Sequence, residues 1–226
     1  MSPTDPALVD AMASWVQEAS STLLAARADV PHKLLRWREA VRRFGHGHLR
    51  HAQSRPVLYP FSGADLLSAL SLFSDAPSHT LVAPFPTGDA RCFLSAACRE
   101  QATSTAVSYF QHFADRGGGW TDDTAINGTV GVLPVLLVAL HYSGRRVVTI
   151  EWYRLTTSIH GIALTCKHHG GSAPGSSGEG GLSNVERPTT RISYVRHTLG
   201  VPSPTPDSLA WLRAHALSQE IGRAHV

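Results

Sequence analysis

The chain has 226 residues, 42% of them hydrophobic and 16% charged, with a net charge of +3. That supplies one core of ordinary size and excludes a disordered chain. The longest apolar run, Val130 to Leu140, contains Gly131 and Pro134 and is too short to cross a bilayer. The first residues show no basic stretch followed by an apolar one, so a cytoplasmic protein without membrane contact is expected. The positive charge is nearly all arginine, Lys33 and Lys167 being the only lysines. Cys92, Cys98 and Cys166 form no C-x-x-C pair and read as reduced, buried thiols.

In chain order, Asp5-Pro6 is a helix start, a capping carboxylate followed by proline at the first helical position. Leu8, Met12, Trp15, Ala19 and Leu23 follow at helical spacing and predict an amphipathic helix over 6–28. Pro31 opens a second helix with Leu34, Trp37, Val41, Phe44 and His48 as its apolar stripe. Val57–Tyr59 reads as a strand, Ala64–Phe73 as a short helix and His79–Ala83 as a second strand. Arg91–Arg116 is a long helical stretch, with Phe93, Ala97, Ala106, Phe110 and Phe113 available to pack. It is closed by Gly117-Gly-Gly119. Val130–Tyr142 reads as a buried helix with Pro134 in its first turn. Val147–Leu155 and Gly161–His168 are spaced for an antiparallel hairpin, and Arg191–Thr198 is a further strand. Between them, 170–181 is a Gly/Ser-rich loop, and a further helix begins at Asp207.

Three stretches carry a resemblance: Tyr59-Pro-Phe-Ser-Gly-Ala-Asp65, Asn127-Gly-Thr-Val-Gly-Val-Leu-Pro134 and Ile192-Ser-Tyr-Val195. Together they resemble a family of uncharacterised bacterial and algal proteins over roughly residues 31–217. The family has no assigned activity, so the resemblance implies no reaction. Its members commonly place an acidic residue after the second strand, where this chain has Phe85, and they continue past this chain's end. Glu220–Val226 back-translates into the start of a short-read sequencing adapter, so 220–226 reads as a scar on a C-terminally truncated protein.

The expected fold class is α/β, with a Rossmann-like parallel core, covering N-terminal helices and an antiparallel extension. The expected divisions are 1–54 for the helices, 55–155 for the core and 156–219 for the extension. In such sheets ligands bind at the carboxyl ends of the strands, which points to the loop after the first strand. There Ser62 can cap a helix, Gly63 allows close approach of an anion, and Asp65 can meet a hydroxyl, an amine or a metal. Asp89, Asp122, Asp123 and Asn127 border the same expected cleft. Capping and turn formation, which need no ligand, are the more ordinary explanation of these residues. The loop has no G-x-G pattern, and the chain has no G-x-x-x-x-G-K-[ST] loop, so no cofactor is named.

His46, His48 and His51 do not share one helix face, and the arginines around them oppose a cation, so no metal site is expected there. His160, Cys166, His168 and His169 lack a complete ligand set. Glu151, in an apolar strand, must lie at an edge or be paired. The arginine-rich second helix displays no base-stacking aromatics, so nucleic acid is not the expected partner. The function expected is binding of a small molecule at the carboxyl end of the first core strand, possible in a divergent methyltransferase-like or nucleotide-binding-like enzyme. The alternative is a non-enzymatic interaction scaffold. Nothing in the sequence fixes the oligomeric state.

Overall fold

The computed structural model describes residues 5–59, 66–83, 85–116, 130–154, 160–168 and 189–196. Helix α1 (Pro6–Ala26) starts where its sequence says it should, with the Asp5 carboxylate accepting from the Ala7 N–H at 2.9 Å. All five residues of its predicted stripe are buried, joined by Val16. Trp15, fully enclosed, donates its indole N–H to Arg99 O and Thr103 Oγ1. Burying a side chain of that size contributes roughly 1.5–3 kcal/mol, and the donated hydrogen bonds avoid a polar penalty.

Helix α2 (Asp29–His48) departs from its predicted stripe. Val30, Leu34 and Gly45 are the buried residues, while Phe44 is 54% exposed and stacks on His48 outside the core. The reason is Gly45, whose missing side chain lets α2 settle onto the carbonyl of Leu72, which a Cβ there would overlap. That contact turns Phe44 outward.

Strand β1 (Val57–Tyr59), helix α3 (Leu66–Leu72) and strand β2 (Ser78–Ala83) follow as expected. The single helix predicted over 91–116 is divided into a 3₁₀ turn at Ala90–Leu94 and helix α4 (Ala96–Arg116). Ser95, extended at φ −108°, makes the break and leaves Ala97 exposed. The same corner brings Cys92 and Cys98 together as a disulfide, with 5.1 Å between their Cα atoms. This corrects the expectation of three reduced thiols; only Cys166 is free. Helix α5 (Leu133–Tyr142) is buried from Leu133 through Leu140.

Strands β3 (Arg145–Arg154), β4 (His160–His168) and β5 (Thr190–Arg196) complete one five-stranded sheet in the order β1-β2-β5-β4-β3. β1 and β2 are parallel, as are β2 and β5; β4 runs antiparallel to both β5 and β3. The hairpin of β3 and β4 has the predicted sense, with a register shift between Val147 and Thr149. β5 lies at the centre of the sheet, joining the antiparallel strands to the parallel ones.

Residues from all five described α-helices pack with Leu81, Ile162, Leu164, Ile192 and Tyr194 into one core on one face of the sheet. The alternate strand positions turn Leu58, Val82, Tyr153 and Val195 to the opposite face. This is a mixed α/β architecture whose described helices share one core. No described helix is long and apolar enough to cross a membrane.

Candidate functional site

Because β1, β2 and β5 are parallel, the ends at Tyr59, Ala83 and Arg196 share one edge of the sheet. Ser62, Gly63, Asp65, Asp122, Asp123 and Asn127 lie outside the described residues. Asp89 is described, and its carboxylate is engaged locally. It accepts from the Arg91 N–H at 2.9 Å, capping the 3₁₀ turn, and pairs with the Arg91 guanidinium at 2.7 Å. The hydrogen bond from Arg91 holds Asp89 below the usual carboxylate range. Phe85 packs against the core, and its carbonyl accepts from the Tyr194 hydroxyl at 2.9 Å. The loop after β2 is also bound to the start of α5, through Val132 N–H to Pro86 O and Leu133 N–H to Thr87 O. Gly88 at φ 86° and Gly131 at φ 53° make that crossing possible, since a Cβ on either would strike the other strand of backbone.

The histidines are dispersed. His46 bonds Ser74 Oγ at 2.9 Å, His48 stacks on Phe44, and His51 sits on an exposed 3₁₀ turn. Cys166 is buried, which pushes its thiol up to about 12. His168 lies at the end of β4, and His169 and the side chain of His160 are outside the described residues. Among the described residues no group of three His, Cys, Asp or Glu side chains is placed to hold a metal ion. Glu151 meets both of its expected conditions. It lies on the edge strand β3 and pairs with Arg191 at 2.9 Å.

The structure brings together a different set of residues. α1, α2, the end of α5 and the start of β3 border a pocket of about 490 Å³ that opens to solvent. Met12 and Val16 of α1, Leu35 of α2 and Leu137 and Leu140 of α5 give it apolar walls. Arg38, Arg145 and Arg146 are in its lining, and no Asp or Glu is among the described lining residues. Ser20 also lines it, with a buried hydroxyl that has no hydrogen-bond partner.

Buried Arg145 and half-buried Arg38 are held by helix ends. Arg38 donates through Nη1 to Tyr142 O, at the last residue of α5. Arg145 Nη2 donates to Ser74 O at 2.7 Å, just past α3. Gln53 Nε2 reaches Leu72 O at 2.9 Å, and His79 Nε2 contacts Phe73 O at 3.1 Å. Three successive carbonyls at the end of α3 therefore each meet a side-chain partner, at the negative pole of the helix. His79 is wholly enclosed, and burial first, then the Arg145 charge, lowers its pKa to about 3. It is neutral at pH 7, so Nε2 carries the proton donated to Phe73 O, and Nδ1 is left without a partner.

Burial lowers both Arg38 and Arg145 from the ordinary arginine range; the Glu39 charge opposes this at Arg38, and at Arg145 Cys166 and Asp75 oppose it while the Arg38 charge adds to it. Both remain cations at neutral pH. Neither has a carboxylate within ion-pair distance among the described residues, and the Nε of each is buried without a partner. Burial also raises Tyr142, at the pocket's α5 side, to about 12.

The pocket escaped sequence reasoning because it lies beside the main stripe of α1. A second line of residues, Val9, Ala13, Val16, Ser20 and Leu24, runs at helical spacing along that helix and lines the pocket. Pro31, Leu35 and Arg38 do the same on α2. Two apolar lines on one helix, the second partly polar, were the available signal. Compared with protein families, curated proteins and solved structures, the chain matches none.

Proposed function

We propose that this protein binds a small, largely apolar organic molecule in the pocket between α1, α2, α5 and β3. The observation that carries this reading is the pocket itself: about 490 Å³ with apolar walls and a few polar groups. Small-molecule sites occupy roughly 300–1,000 Å³ and have this lining. Nile red, a neutral apolar dye, tests the reading. Its fluorescence should rise with the wild-type protein and fall to background with Ala13→Trp, which fills the pocket from α1. Equal dye response from the two proteins contradicts the assignment.

A second reading is supported by the shared carboxyl edge of β1, β2 and β5. It places a nucleotide-like ligand at Ser62, Gly63 and Asp65 over a Rossmann-like core, as a methyltransferase-like or nucleotide-binding-like protein would. Thermal stabilisation by S-adenosylmethionine or ATP, lost in Asp65→Ala, supports it. If neither site answers to a small molecule, the sheet serves as a scaffold for protein contacts.

A further inference from the structure

Resting on the pocket reading, we infer that the bound molecule is an anionic amphiphile, a carboxylate on an apolar chain, with its head at Arg38. The lining is one-sided in charge: three arginines and no described carboxylate. Several described arginines are paired with carboxylates: Arg27 with Asp29 and Asp115, Arg42 with Glu39, Arg91 with Asp89 and Arg191 with Glu151. Arg38 and Arg145 line the pocket with no carboxylate within ion-pair distance among the described residues, and burial lowers the pKa of each.

Their hydrogen bonds divide the work between them. Arg145 is almost wholly buried and turned to Ser74 O at the end of α3. Arg38 is half-buried and spends Nη1 on Tyr142 O, which leaves Nη2 without a protein partner among the described residues. Arg38 thus supplies the donor to a ligand, and Arg145 supplies a second positive charge behind it. Met12, Val16 and Leu137 in the same wall are suited to an alkyl or ring portion.

The geometry favours a single negative charge over a phosphate dianion. The nearby helix end is the carboxyl end of α5, whose carbonyls repel concentrated negative charge. Arg38, bonded to that end through Nη1, keeps Nη2 for a ligand, which suits a carboxylate oxygen.

Isothermal titration with decanoate, 1-decanol and decylammonium, on the wild type and on Arg38→Gln and Arg38→Lys, tests the inference. Decanoate should bind the wild type about tenfold tighter than decanol, the difference expected of one charge-assisted hydrogen bond. Decylammonium should bind weakest. Arg38→Gln should abolish the preference for decanoate while leaving decanol bound, and Arg38→Lys should keep part of it. Equal binding of decanoate and decanol by the wild type overturns the inference and leaves the pocket reading standing. So does a preference that survives Arg38→Gln. Binding of none of the three removes the pocket reading, and this inference with it. Where Arg38→Gln fails to fold, the wild-type ratio of decanoate to decanol decides.

Discussion

Two cationic regions of this molecule are built in opposite ways. At the turn between α1 and α2, Arg27 and Lys33 meet Asp29 and Asp115, with distances of 2.9 Å for Arg27–Asp29 and 3.0 Å for Arg27–Asp115. Two cations face two anions in solvent, and together they tie the turn to the end of α4. A few turns along α2, half-buried Arg38 and buried Arg145 have no carboxylate within ion-pair distance among the described residues. The difference is instructive, because exposed balanced charges connect elements at little cost or gain. Enclosed unbalanced charges cost free energy in desolvation and mutual repulsion, and here two helix carboxyl ends offset only part of it.

The largest effect should come from disturbing the packing beside the enclosed region. Gly45→Ala places a methyl group against the Leu72 carbonyl, and neither backbone can yield easily. It should cost about 3 kcal/mol in urea unfolding. Next, Arg145→Met keeps most of the packing volume but leaves Ser74 O without its charged donor. A loss of about 2 kcal/mol is expected in the same measurement.

The enclosed region also predicts a pH dependence through His79. Its folded pKa of about 3 lies below the ordinary value of 6.5, so the unfolded state takes up the proton first. Stability from this group is therefore complete above about pH 6.5 and falls by about 1.4 kcal/mol per pH unit as pH drops towards 3. Urea midpoints at pH 7 and pH 5 should show the loss, and His79→Leu should flatten it. The smallest effect belongs to the exposed network. Arg27→Gln should lower the melting temperature slightly at low salt, and the difference should vanish at high salt. A large, salt-insensitive loss in Arg27→Gln would reverse the contrast between the two regions.

Much of the fold was legible because local chemistry decides it. The Asp5-Pro6 cap, the α1 stripe and the hairpin of β3 and β4 all depend on neighbouring residues. What was not legible depends on distant partners. The central place of β5 comes from pairing with β2, which periodicity within β5 does not encode. The Cys92–Cys98 bond follows from the break at Ser95, and the outward Phe44 from the contact of Gly45 with Leu72. The candidate site shows the same limit. Asp89 stood out as a carboxylate in a promising loop, yet its geometry is that of a cap paired with Arg91. Nothing in the arginine-rich second helix singled out Arg38, and only the fold shows that it borders a pocket without a described carboxylate in its lining.

The central claim is that this pocket holds an amphiphile by its anionic end. A crystal structure of the protein grown with decanoate tests it most directly. Ligand density is expected between α1 and α5, with the carboxylate within hydrogen-bond distance of Arg38 and the chain running past Met12, Val16 and Leu137. Density elsewhere on the protein, or a carboxylate pointing away from Arg38 into solvent, would contradict it.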